Sequence, residues 1–237
     1  LFSANSIANT KALTINQKGD VFSDFEVEMY EDKSASQSFS EIKKSNEFIT
    51  HSNRISTGYS ESVFWFRFTI INKSDENLIY FVEFTENFTH KVHGFIAGLN
   101  QLDFTEDKQG VAYLAVENSG EILKPKFQIN IKRGESKTVY LNIFGLYANY
   151  TSFNVIDMPT INKYALKHTG LYSVYFGAIL AILIYNLAIF AFVREAVYLY
   201  YTAYVASFLI WQLGTNGFFP FDRFSSAFNY YLIGLSV

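Results

Sequence analysis

The sequence predicts an all-β domain of sandwich or jelly-roll type followed by transmembrane α-helices. Three observations lead there. The 19 Lys and Arg and 22 Asp and Glu residues are unevenly placed, for only Arg194, Glu195, Asp222 and Arg223 lie beyond residue 168. Before that point, short segments alternate apolar and polar residues with the two-residue period of a half-buried strand. Beyond it, uncharged apolar runs reach the length of a bilayer.

The clearest strand is Val63 to Ile71, where Phe64, Phe66, Phe68 and Ile70 share one face and Trp65, Arg67 and Thr69 the other. Leu78 to Phe84 follows after the polar break NKSDEN. Lys126 to Lys132 places Phe127, Ile129 and Ile131 on one side, and Thr138 to Phe144 does the same with Val139, Leu141 and Ile143. The Arg133-Gly134-Glu135-Ser136 connection predicts that these two form a hairpin. Further strands are expected near Asp24 to Tyr30, Lys91 to Ile96, Val111 to Val116 and Ser152 to Ile156. Strands this short and numerous need two packed sheets. The β domain is therefore bounded at residues 20–158. Residues 1–19 are left as a disordered segment or an extra strand.

Residues 159–169 read as a short connector. From Leu171 to Val193 no residue is charged; at about 1.5 Å per residue a helix there reaches roughly 35 Å, enough for a hydrocarbon core of about 30 Å. A second uncharged run covers 196–214, and a third begins near Ala227 and is cut off at Val237. Residues 170–237 thus read as the start of a multi-helix membrane domain. Tyr172, Tyr175 and Trp211 mark one end of the first two runs, and Tyr198, Tyr200 and Tyr201 the other, as expected of rings that favour the headgroup zone. Lys163 and Lys167 outnumber Arg194 across the first span, a count that would leave the N-terminus in the cytoplasm; large domains translocate largely regardless of such counts.

Composition excludes several functions. The net charge of −3 lies wholly in the first part, which argues against a nucleic-acid binder, since such proteins normally carry a basic patch to neutralise phosphates. Without cysteine there is no disulfide, thiolate nucleophile or Cys-ligated metal, and a bacterial periplasm is compatible with that. The chain opens on Leu1 with no basic, apolar leader before residue 20, which is expected of a processed or partial chain.

Trp65 and Arg67 are the candidate ligand-binding pair. An indole stacks on a sugar face and a guanidinium donates to hydroxyls or carboxylates. The competing reading is a structural Trp capped by a cation–π contact from Arg67. In the first span, Gly177, Tyr185 and Asn186 are candidates for helix packing or switching, an amide at that depth usually facing another helix. His90 and His93 would point to opposite faces of a strand, and His51 and His168 are remote, so no metal site is called for. Asp24, Glu26 and Glu28 read as a solvated acidic edge. Glu83 and Glu86 have only their spacing to suggest a glycosidase pair. No nucleophile elbow, phosphate loop or metalloprotease helix occurs. Neither catalysis nor a cofactor is expected of these residues.

Taken in order, MYEDKSAS, Gly58-x-Ser60, Trp65-Phe66-Arg67 and Asn72 precede Gly177, Tyr185-Asn186-Leu187, Phe190, Arg194, Tyr198, Tyr201 and Asn216-Gly217. This succession resembles the bacterial seven-transmembrane receptors with diverse intracellular signalling modules, at their second type of extracellular domain and first helices. The resemblance implies a periplasmic, carbohydrate-binding-like sensor domain on the inner membrane. It implies a small ligand, carbohydrate-like in character, and an output module missing from this chain; a homodimer stays open. The alternative is a membrane-tethered adhesion or protein-interaction module without signalling output.

Overall fold

The computed structural model describes residues 11–86, 89, 91–98, 103–110, 124–145 and 149–216, which fall in two compact units, residues 1–158 and 159–237. The first unit contains β1 (Leu13–Ile15), β2 (Glu26–Asp32), the one-turn helix α1 (Phe39–Ile42), β3 (Ile49–Ser52), β4 (Arg54–Gly58), β5 (Val63–Asn72), β6 (Leu78–Phe84), β7 (Lys91–Ala97), β8 (Phe104–Gln109), β9 (Lys126–Ile131), β10 (Ser136–Phe144) and β11 (Asn149–Asp157). One sheet has the order β3-β2-β5-β10-β7-β8, with β1 parallel to the last residues of β5; the other has the order β4-β11-β6-β9. It is a β-sandwich.

Alternation explains the layers. Phe64, Phe66, Phe68 and Ile70 of β5 and Val139, Leu141 and Ile143 of β10 turn inward, where they meet Tyr80, Val82 and Phe84 of β6, Phe127, Ile129 and Ile131 of β9, and Phe153 and Val155 of β11. Each buried Phe or Ile of this kind contributes about 1.5–3 kcal/mol. Gly94 on β7 makes room for one of them: a Cβ there would stand 2.5 Å from the Phe127 ring.

The expected hairpin between β9 and β10 does not form. β9 pairs with β6 in the small sheet and β10 with β5 and β7 in the large one, so the Arg133–Gly134 turn carries the chain from one layer to the other. Both strands still aim their apolar side chains at the same interlayer core, which is why their pattern looks like a hairpin. Gly134 takes the left-handed conformation in this turn, at φ 71°. A second crossing, from β5 to β6, lies beside it, and Asn72 joins the two. Its buried amide donates to the carbonyls of Glu76 and Ile131, its Oδ1 accepts from the Ser74 N–H and hydroxyl, and its backbone carbonyl accepts from Gly134 N. Asn53 plays a similar part elsewhere, accepting from Phe25 N and donating to the Ser23 and Phe153 carbonyls.

β3, β4 and β8 carry too little apolar alternation to be expected from sequence; all four residues of β3 are exposed. The strand expected at Val111 to Val116 and the third apolar run from Ala227 lie outside the described residues.

The second unit contains α2 (Met158–Val193) and α3 (Ala196–Thr215). The residues expected to form a connector, 159–169, are the first turns of α2, so no loop separates β11 from the helix. At about 1.5 Å per residue, the 36 residues of α2 reach roughly 54 Å, about four turns more than a hydrocarbon core of about 30 Å requires. Arg194 ends it in the left-handed conformation, at φ 57°, with its N–H on the Phe190 carbonyl. Among the described helices, α2 alone is long and apolar enough to cross a membrane; the tyrosines and Gln212 of α3 dilute its apolar run. Val174 at 75% exposure and Phe192 at 89% lie on an apolar helix surface that water would solvate poorly.

Candidate ligand site on the outer face of the large sheet

The face of the large sheet turned away from the core is where Trp65 and Arg67 stand. Register places Glu28 and Tyr140 on either side of Arg67, Tyr30 and Asn142 on either side of Trp65, and Phe95 beyond Tyr140. A strap formed by residues 33–48 crosses this face and brings α1 onto it. Phe39 of α1 lies parallel to Phe95, with centroids 4.2 Å apart and planes at 4°, and is stacked over Trp65 at 6.2 Å. Its ring also meets Phe104 and Tyr140 edge-on, at 5.0 and 5.3 Å. Ile42 and Phe48 complete this second cluster. Trp65 is consequently only 2% exposed, and its Nε1–H is buried without a hydrogen-bond partner.

Arg67 does not cap Trp65. Its Nε donates to the Glu28 carboxylate, and its guanidinium carbon sits 4.2 Å above the Phe48 ring. Strand geometry accounts for the choice: residues two apart along a strand are about 6.6 Å apart, whereas directly opposed residues on neighbouring strands are closer, at about 5 Å. Burial would push the Arg67 guanidinium down, but hydrogen bonds from it to Glu28 and Tyr140 more than offset that and raise it. Glu28 is therefore buried and paired, not part of a solvated acidic edge with Asp24 and Glu26.

Two carboxylates fasten the strap. Burial would raise Asp32, yet the Ser34 hydroxyl and the N–H groups of Gln37, Ser34 and Ala35 hold it below the usual carboxylate range. Glu41 is lowered by the backbone N–H and hydroxyl of Ser38, the reciprocal half of a capping box. Gln37 donates to the Tyr30 hydroxyl at 2.9 Å, and Lys43 lies 4.4 Å over Phe104. Further along the face, His93 stands 3.3 Å from Glu106, and burial keeps it below the usual His range despite that carboxylate. Glu83 lies on β6 in the other sheet and is raised by burial, with Lys124 and Lys126 opposing; Glu86 follows the end of that strand. His90 lies outside the described residues.

In α2, the Asn186 amide donates to the Ile182 carbonyl within the helix, Tyr185 is 66% exposed, and a Cβ on Gly177 would meet nothing within 4 Å. These three are thus presented at the helix surface. Near one end of the helices, Leu171, Tyr172 and Tyr175 of α2 and Gln212 and Asn216 of α3 line an open cavity of about 310 Å³.

Phe39, Phe95 and Tyr140 were not singled out from sequence. Phe39 had a signal, since Ser38-x-x-Glu41 is a capping box that announces a helix in an otherwise Ser-rich loop. The other two look like any inward or outward strand residue until the register is known.

Two family models match the chain. One, described as 7TMR-DISM extracellular 2, covers residues 25–157, from just before β2 to the end of β11. The other, described as 7TM diverse intracellular signalling, covers 168–237. The chain belongs to the 7TMR-DISM family. It thus carries the extracellular domain of a membrane signalling receptor family, the sandwich at residues 25–157, followed by that family's membrane region at 168–237. Solved structures with a local likeness to the 7TMR-DISM chain include a β-glucosidase from Kluyveromyces marxianus in complex with glucose, at 10% identity and a TM-score of 0.34. Another is a GH31 α-xylosidase from Xanthomonas citri, at 7% identity and a TM-score of 0.29. In each comparison 56% of this chain is covered, against 16% and 13% of the other, so the chain spans only a small fraction of either enzyme. No curated protein matches.

Proposed function

We propose that this chain is the ligand-sensing part of a multi-pass receptor in a bacterial inner membrane, with the sandwich in the periplasm. The observation that carries the reading is the order of the two family matches, extracellular domain then membrane region, with only residues 158–167 between them. The ligand is a small molecule, carbohydrate-like in character, and Trp65 and Arg67 belong to the face that receives it. The residues present sense and transmit; the chemistry of the output belongs to a module beyond them.

Transmission is a population shift: the ligand must bind one arrangement of the receptor better than the other, and by no more than that difference can it move the equilibrium. Covalent continuity supports a short route, because β11 ends at Asp157 and α2 begins at Met158. Tyr164 and Leu166 lie on that initial stretch of α2, ahead of the uncharged span. Gly177, Tyr185 and Asn186 serve the packing of α2 against other spans, where an interhelical amide bond contributes about 0.6 kcal/mol.

The test is thermal unfolding of the full chain in lipid nanodiscs with a small-molecule library that includes neutral sugars. A ligand at about 100 times its Kd stabilises by about 2.7 kcal/mol, enough to raise the midpoint by several degrees. Stabilisation by library members supports sensing. An unmoved midpoint across the library, together with capture of a specific protein on the sandwich, would make this a tethered interaction module instead.

A further inference from the structure

The outer face of the large sheet has the makings of an occupied site. Its floor is aromatic, with Trp65 and Phe95 lying side by side under the ring of Phe39 and with Phe104 and Tyr140 at its edges. Phe39 is the piece that does not come from the sheet. It is delivered by a single turn of helix, and helices so short have no stability of their own in water. Among the described residues, the backbone hydrogen bonds of 33–48 beyond its helical turn close within the strap itself or onto Asp32. Side chains hold it to the sheet: Phe39, Ile42, Phe48, Lys43 over Phe104, and Gln37 on Tyr30. The strap is docked, not woven in.

A second observation points to a ligand. The Trp65 Nε1–H is buried on this floor with no acceptor, although buried donors almost always have one. A phenyl ring fills the space but offers no oxygen. On the sheet itself Arg67 is matched by Glu28 and Lys108 by Glu106, and Lys43, which lies over Phe104, leaves with the strap, so an ionic ligand is disfavoured. What fits is a neutral six-membered ring with an apolar face to lie on the aromatic floor and oxygens on its edge to accept from the indole. A pyranose sugar has this form, and Asn142 and the Tyr30 and Tyr140 hydroxyls supply further polar groups on the same face.

We propose that Phe39 is a resident plug: it occupies the sugar site of the sensor domain, and a pyranose ring binds by displacing it and the 33–48 strap. This rests on the reading of the domain as a small-ligand sensor and gives that reading its site, its ligand class and its switch. The strap would then be the element whose release distinguishes the bound state from the free one.

The chain has two tryptophans, so Trp211→Phe leaves Trp65 as the only indole. In that background, as the full chain in nanodiscs, Phe39→Ala is compared with Phe39 for acrylamide quenching of Trp65 and for titration with cellobiose, maltose and lactose. Circular dichroism verifies the fold. We expect quenching to rise in Phe39→Ala and at least one sugar to bind about 10- to 100-fold more tightly, the range that follows from no longer having to unbury a Phe. Should Phe39→Ala disturb folding, Glu41→Ala loosens the capping box without touching the floor, and it should shift both readouts in the same direction. Three results would overturn the proposal, and they are distinct. If Trp65 stays as shielded in a folded variant as in the parent, Phe39 is no plug. If a sugar binds parent and variant equally, the domain senses sugar at another place. If calorimetry detects no sugar binding to either, the ligand class is wrong, while small-ligand sensing itself still stands or falls on the library experiment.

Discussion

At the residue scale, the fold depends on a few polar and small side chains whose partners are distant in sequence. Asn72 satisfies groups from both layer crossings at once, so Asn72→Ala leaves several buried donors and acceptors unpaired. At about 1–3 kcal/mol for each such group, partly relieved by water, we expect a loss of roughly 2–4 kcal/mol in thermal unfolding. Gly94→Ala should cost about 1–3 kcal/mol, since its methyl would enter the Phe127 ring. For the Arg67–Glu28 pair, Arg67→Met strands a buried carboxylate. We expect it to destabilise by about 1–3 kcal/mol and the Arg67→Met/Glu28→Gln double variant to recover part of that loss. A double variant no more stable than the single one would show that packing on Phe48, not charge pairing, is what Arg67 supplies. Sequence exposed these residues unevenly. Asn72 is visible in the sequence only as one position of the motif order, because Ile131 and Gly134, which give it its purpose, lie some sixty residues on.

Elements were legible where one face is buried and the other is wet. The β5, β6, β9 and β10 segments announce themselves by alternation, and their inward faces follow from it. Alternation says which face is apolar, not which strand is the neighbour, so the β9–β10 turn reads as a hairpin although it joins two sheets. Edge strands such as β3 and β8 bury little and leave little pattern. The strap is the least legible element and the one with a pH dependence. Asp32 and Glu41 are both held below their ordinary values. A carboxylate depressed in the folded state contributes its full stabilisation above its unfolded pKa, about 4, and loses it as pH falls through the folded value. Trp65 quenching in the Trp211→Phe chain should therefore stay level from pH 7 to 5 and rise below about pH 4. A rise that sets in earlier, as pH falls below about 6.5, would instead point to His93, which burial holds below the usual His range.

For the whole molecule, the uneven placement of charge is the strongest signal the sequence carries, and physics makes it so. A chain that confines almost all its charges to the first 168 residues is written for two solvents. The sandwich follows from the first and α2 from the second, whose apolar surface needs lipid or other helices around it. Orientation was not legible from charge, because Lys163 and Lys167 argue against the side that the family order supports. The absence of cysteine makes orientation directly measurable. Lys73→Cys places a thiol at an exposed turn of the sandwich, and Glu195→Cys places one between α2 and α3. Bacterial spheroplasts carrying either variant are treated with a membrane-impermeant maleimide before and after permeabilisation. We expect Lys73→Cys to be labelled at once and Glu195→Cys only after permeabilisation. Labelling of Glu195→Cys in intact spheroplasts, or protection of Lys73→Cys, would contradict a sensor that stands outside the membrane and signals inward through α2.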